Sequence, residues 1–323
     1  MAFLWNSRIL DDLIAHMADI ASKPTISIRE MQSYDDLRQV ENVEKEIWGL
    51  SEADVLPTTL TIASKAAGSL WLGAFEDQQL VGFAFGLLGL ENGAINIHSH
   101  MLGVLPAYRD LDLGYKLKLI QREQALAMRI SDGRGGELRI REMTWTFDPL
   151  QARNAHLNFA KLGVLSNRYI PDFYGPATSS VLHQNGTDRL WVRWLLDSRR
   201  VRLRTKGKFD PSRHRAEVID ALSVLTPLVR FIGNSKPVRS DLAAALARQR
   251  IAIEIPSDIL RIEQTDAKLA REWRAATQWA FGEALDAGFF VAEFCRTIRG
   301  KQGPSVYLLG KGSVEDFAEG NAE

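Results

Sequence analysis

Cysteine is nearly absent: Cys295 is the only one in 323 residues. A disulfide framework is excluded, and the lone thiol, with no visible activator, reads as a buried apolar residue in a chain of the reducing cytoplasm. Excess charge of either sign is also missing, since Lys+Arg and Asp+Glu number 40 each. No global field draws in nucleic acid or a membrane surface, so an anionic ligand needs a local site. No apolar run approaches the ~18 residues of a membrane span. There is no G-x-x-x-x-G-K-[ST] loop, no G-x-S-x-G elbow and no paired CxxC, which removes the common ATPase, hydrolase and zinc-ribbon readings. No aromatic stripe suggests nucleobase stacking.

What remains is an ordinary globular composition, 46% hydrophobic and 25% charged, in a length that suits two domains. The start, MAFLWNSRILDDLIAHMADI, carries Asp11 and Asp12 and lacks the basic opening of a signal peptide. Leu10, Ile14 and Met17 sit at helical spacing and predict an N-terminal amphipathic helix within residues 1–25. Ile26 and Ile28 alternate as a short strand. Ser33 is a natural N-cap for a helix carrying Leu37, Val40 and Ile47, and Pro57 opens a second helix through Ala66. SLWLGAFE and LVGFAFGLLGLE form a hairpin, and Asn92-Gly93 turns the chain into the strand INIHSHMLGVL. Pro106 ends that strand, and Gly114 opens a long helix. A strand EMTWTFD, a short helix closed by Gly163 and a strand RLWVRWLLD complete a unit over 26–198. Residues 199–215 are basic and read as a solvated linker. A smaller α/β unit follows over 216–323: a helix, the strand IAIEIP, a helix from Asp266 to about Ala287, and the strands FFVAEFC and SVYLLG.

The segment that carries chemistry is HSHMLGVLPAYRDLDLGYKLK, residues 98–118, a strand, a tight turn and a helix. A helix N-terminus preceded by such a turn is an anion site, because unsatisfied N–H groups and the helix dipole point the same way. Strand alternation places Asn96, His98, His100 and Leu102 on one face. Either histidine could deprotonate an amine near neutral pH; hydrogen-bonding and metal-binding roles stay open, with His156, His183 and Asp148 as the residues that would have to converge on a metal. Asp148, held extended by Pro149, could act as a base, hold a cationic amine, or cap the following helix.

Val104 to Gly114, read as V-x-P-x-Y-R-x-x-x-x-G, resembles the cofactor motif of the GNAT acetyltransferases, R/Q-x-x-G-x-G/A. HSHMLGV together with MTWTFDPLQARNAHLNFAKLG resembles, more narrowly, an uncharacterised family within that superfamily. The resemblance spans residues 26–197. It implies an α/β fold with a mixed, mostly antiparallel, splayed sheet, the smaller C-terminal unit being a reduced half of the same kind. It also implies transfer of an acetyl group from acetyl-CoA to an amine of a small molecule or peptide by direct attack. Leu102 and Val104 would then bond the pantetheine arm. Arg109, Asp110, Leu111, Asp112, Leu113 and Gly114 would wrap the pyrophosphate, Asn154 would lie near the cofactor, and His98, His100 or Asp148 would assist as base. No metal, nucleic acid or membrane is expected, and a second copy of the chain is left open as a partner. Two residues depart from the family pattern: Asp112 replaces the first motif glycine, and Phe159 stands where a tyrosine commonly protonates the leaving thiolate. Tyr169 and Tyr174 are the substitutes nearest in sequence. A non-catalytic acyl-CoA-binding module and a metal-dependent enzyme using His98 and His100 are the alternative functions.

Overall fold

The computed structural model describes residues 24–91, 93–175, 180, 184–206, 210–225, 227–299 and 303–321; the expected N-terminal helix lies outside them. Strand β1 (Ile26–Glu30) leads into helix α1 (Tyr34–Trp48) through a full capping box, in which Ser33 accepts from the Asp36 amide and Asp36 answers the Ser33 amide. Arg29 grips the Asp36 carboxylate with two 2.7 Å bonds, fixing strand to helix. Helix α2 (Thr58–Ala66) starts from Pro57, as the sequence suggests. Strands β2 (Leu70–Glu76), β3 (Gln79–Glu91) and β4 (Ala94–Val104) then form an antiparallel meander.

A 3₁₀ turn over Pro106–Leu111 delivers the chain to helix α3 (Leu113–Ala127). The loop expected after it is a small hairpin, β5 (Ile130–Ser131) and β6 (Glu137–Leu138). Strand β7 (Glu142–Phe147) returns beside β4. The following helix α4 (Ala152–Ala155) widens into a π-helix over His156–Leu162 and ends at Gly163, whose φ of 76° suits glycine. Strands β8 (Leu165–Ile170) and β9 (Arg189–Leu195) close this half. The sequence reading missed β8.

The stretch 199–215, expected as a solvated linker, carries helical segments among its described residues. Residues Arg199–Thr205 are helix α5, and Pro211–Ser223 are helix α6. Arg200 and Arg204 turn inward to the Glu293 carboxylate at 2.6 and 2.8 Å, so their charge marks burial against an acid rather than solvation. Beyond them come β10 (Pro227–Ile232), β11 (Lys236–Arg239), α7 (Leu242–Leu246), β12 (Arg250–Ile255), α8 (Ile259–Thr265), α9 (Ala267–Asp286), β13 (Phe289–Cys295), β14 (Ser305–Lys311) and α10 (Val314–Glu319).

One mixed sheet runs through both halves in the order β1-β2-β3-β4-β7-β9-β8-β13-β14-β12-β10-β11. Among the described residues only β4/β7 and β10/β12 pair in parallel. The halves join where Val291 of β13 meets Ser166 of β8. Phe159 and Trp194 from the first half share one apolar core with Trp273, Phe281 and Tyr307 from the second. A second core, with Leu37, Trp71, Phe83 and Leu117, lies under α1 and α3. Among the described residues no helix is long and apolar enough to cross a membrane.

Candidate active site

Two irregularities in β4 make the site. First, β4 pairs with β7 only at Ile97↔Met143 and His98↔Thr144; beyond His98 the strands part. Second, the β3–β4 register shifts between Phe85↔Met101 and Leu87↔His98, so an extra residue of β4 is accommodated around Ser99 and His100. A strand edge without a ladder partner must satisfy its polar groups elsewhere, and here that edge faces a cavity of about 470 Å³. Ser99, His100 and Leu102 line it from β4, Trp145 and Asp148 from the β7 side, and Asn154 and Asn158 from α4 and the π-helix. Trp48 at the end of α1 and Asp54 after it border the cavity, as do Tyr174 and, at the start of β9, Arg189.

The bulge overturns one reading. Because the extra residue reverses the alternation, Leu102 leaves the face of His98 and turns toward α3, where a Cβ on Gly114 would meet its Cδ2 at 3.8 Å. Leu102 and Val104 pack with Leu113 and Leu117 instead.

The histidines separate. His98 does not line the cavity: its Nδ1 sits 3.1 Å from Thr144 Oγ1 and its ring lies on Trp191 at 4.8 Å. Burial above all pushes its pKa down to about 4. His100 does line the cavity, edge-on to Phe85. Its surface is open to solvent, yet protein surrounds it closely enough to favour the neutral ring. His183 lies outside the described residues, among which no group of three or more His, Cys, Asp or Glu could hold a metal.

These depressed histidines set a pH dependence. Burial pushes His156 down to about 4 as well, and lowers His214. Below pH ~6.5 the unfolded chain takes up protons at these rings that the fold refuses, so they cost stability as pH falls from 6.5 toward 4. Glu44, raised to about 7 by burial, opposes them, because the fold holds its proton when the unfolded chain has lost it. The histidines outnumber it. Urea midpoints should therefore fall from pH 7 to pH 5, and His98→Asn with His156→Asn should flatten that slope by up to ~1.4 kcal/mol per pH unit per ring. An unchanged slope would mean that neither ring is held neutral.

Asp148 is not available as a lone base. Its two oxygens each meet Arg274 of α9 at 2.8 Å, and Oδ1 also accepts from the Leu150 amide. It braces the turn before α4 rather than capping that helix, whose N-cap is Gln151, and it pairs with a buried guanidinium from the second half. Tyr169 is occupied too, donating to Asp188 at 2.6 Å. Tyr174 borders the cavity, whereas Phe159 is fully buried between Phe147 and Tyr307. No side chain from position 159 can protonate a leaving group.

The turn before α3 is formed as expected, with nothing capping the helix from Asp112, which adopts φ 57°. Arg109 and Asp110 are exposed; Arg109 Nε donates to the Val104 carbonyl and Asp110 approaches Arg153 at 3.6 Å. Asp112 pairs with Lys161 of the π-helix at 2.8 Å, not with Lys116 one helical turn on. An exposed pair of this kind contributes ~0.2–1 kcal/mol. Glycine would relieve the left-handed backbone by a similar amount. Asp112→Gly should thus change stability by less than ~1 kcal/mol and leave the CoA affinity that the resemblance implies within about threefold. A several-fold, salt-sensitive gain in affinity would instead place the carboxylate against the phosphates.

Sequence reasoning passed over Lys118. Its residue is 2% exposed, its Nζ donates to Ser99 Oγ at 2.6 Å, and the ammonium position lies 3.6 Å above the Trp145 ring. Burial alone pushes its pKa well below the ordinary lysine value. Ser99 is bonded in turn to Gln121 Oε1 at 2.7 Å, and all three side chains are buried. The signal was in the spacing: Gly114, Lys118, Gln121 and Ala125 share one helix face at i, i+4, i+7 and i+11.

No protein-family model matches the chain, and no curated protein matches it by sequence. Solved structures that resemble it include the following acetyltransferases. The ribosomal-protein-S18-alanine N-acetyltransferase of Escherichia coli aligns over 53% of this chain and 94% of its own, at 14% identity and a TM-score of 0.39. Arabidopsis thaliana NAA60, in complex with acetyl-CoA, aligns over 53% and 99%, at 13% identity and 0.41. An acetyltransferase of the GNAT family from Streptococcus pneumoniae aligns over 52% and 98%, at 15% identity and 0.39.

Proposed function

We propose that the chain is an acyltransferase: it binds acyl-CoA, acetyl-CoA in the first instance, in the splay between β4 and β7 and passes the acyl group to an amine. The observation that carries this reading is the parting of β4 from β7 after His98, which opens a cavity lined by Ser99–Leu102 of β4 and by Lys118 of α3, a helix whose start has no side-chain cap. The pyrophosphate would rest on the N–H groups at Leu113 and Gly114, with Arg109 at its rim. The pantetheine amides would bond the free edge of β4 near Leu102 and Val104, replacing the missing ladder. Asn154 and Asn158 would face the arm from the opposite wall. The thioester would then sit at the bulge, where edge N–H groups can polarise its carbonyl. Opposite, between Trp48, Asp54 and Tyr174, lies the entry for an amine of a small molecule or a peptide. Of the described histidines named by sequence, His100 is the one that lines the cavity, and Asp148 would serve to hold the cavity wall.

The test is release of free thiol from acetyl-CoA by the full chain against a panel of small amines and peptide N-termini. Amine-dependent release, with an acetylated product of matching amount, supports transfer. Binding of acetyl-CoA without release for any amine would make this a non-catalytic acyl-CoA module.

A further inference from the structure

The acyl-transfer reading leaves two proton questions: what accepts the proton of the incoming group, and what gives one to the departing thiolate. Asp148 is locked to Arg274, His98 lies off the cavity and Phe159 carries no acid. We propose that Ser99 and Lys118 form a catalytic pair on the cavity floor, in which the Ser99 hydroxyl takes the acyl group from the thioester and Lys118 carries the proton. This rests on the acyl-CoA reading of the cleft, and it replaces direct attack by two half-reactions.

Four observations converge on it. Both side chains line the cavity at the bulge. Their polar atoms are 2.6 Å apart, the distance of a nucleophile and its base. Among the described residues no carboxylate lies within ion-pair distance of Lys118. A buried ammonium without an anion is costly, so the free amine is the favoured form and can accept a proton. Finally, the Gln121 amide reads both ways. As placed, its Oε1 accepts from Ser99 and its Nε2 is buried without a partner. Turned over, Nε2 donates to Ser99 Oγ and frees the hydroxyl hydrogen to point at Lys118 Nζ. A nucleophilic hydroxyl, a neutral amine base and an unpaired strand edge to hold an oxyanion are the parts of a serine–lysine acyl-transfer site.

In the first half-reaction the Ser99 Oγ–C bond forms as the thioester C–S bond breaks. The hydroxyl proton moves to Lys118 Nζ and from there to the thiolate, so CoA leaves as the free thiol. In the second, the amine nitrogen attacks the ester carbon, the C–N bond forms and the C–O bond breaks. The surplus amine proton returns through Lys118 to Ser99 Oγ. The lysine thereby supplies both the base and the acid that position 159 lacks.

The experiment needs no acceptor. The full chain is mixed with acetyl-CoA alone, and thiol release, intact mass and peptide mapping are followed, with calorimetry run in parallel. One equivalent of CoA should be released, leaving one acetyl ester on the peptide containing Ser99, cleaved by hydroxylamine and absent from Ser99→Ala. Lys118→Met should form it at least ~100-fold more slowly. Three results would overturn the pair: bound acetyl-CoA with no adduct, a hydroxylamine-resistant amide on Lys118, or an adduct that survives Ser99→Ala. Calorimetry without heat for wild type and variants alike would sink the acyl-CoA reading itself, which keeps the two failures distinct.

Discussion

Arg274→Met should destabilise the chain by about 3–5 kcal/mol, because it strips the counter-charge from a buried carboxylate. Asp148 and Arg274 are each 8% exposed and share two 2.8 Å bonds. The guanidinium also donates to the Asn185 carbonyl, which bonds back to α9 through its side chain and the Ala270 carbonyl. Removing the arginine therefore leaves one charge without a partner and loosens the seam between the two halves. Adding Asp148→Asn should recover a substantial part of the loss, since the amide still accepts from Leu150 but carries no charge. Urea unfolding of the two single variants and the double variant gives the coupling. Simple additivity would show that the pair is not what ties α9 to the cavity wall.

The second large effect runs in opposite directions for stability and chemistry. Lys118→Met swaps a buried amine for an apolar chain of similar length, over an aromatic ring that tolerates sulfur well. Ser99 keeps its bond to Gln121. The variant should gain about 1–2 kcal/mol of stability, since a desolvated amine with a single hydrogen bond is a cost to the fold. Acyl chemistry should fall by ~10²–10⁴. A gain in thermal midpoint with loss of turnover is the mark of a residue retained for function at the expense of stability. If the variant loses both together, the amine is a structural element of the α3–β4 contact.

Much of the fold was legible because its punctuation is local. Ser33, Pro57, Gly93, Pro106 and Gly163 each act on neighbouring backbone, and each stands at the boundary the sequence suggests. What was not legible depends on partners distant in sequence. The β4 bulge exists only against β3, so strand alternation put Leu102 on the wrong face. The basic stretch 199–215 looked solvated because Glu293, the acid that pairs with Arg200 and Arg204, lies about ninety residues later. Asp148 looked like a free carboxylate for the same reason, with Arg274 contributed by the second half. Strand β8 was missed because LSNRYI alternates poorly: only Leu165 and Ser166 are fully buried. Lys118 resembled one more surface charge beside the exposed Lys116; the helical face it shares with Gly114 and Gln121 was the available clue.

The most direct test of the central claim is a calorimetric titration of the full-length Ser99→Ala chain, which cannot form the ester, with acetyl-CoA in the absence of any amine. One site per chain with micromolar affinity, about −8 kcal/mol, is the predicted result. Its affinity should weaken with added salt, as a phosphate held at a helix N-terminus requires. No heat at millimolar acetyl-CoA, with no shift in thermal midpoint, would contradict the account.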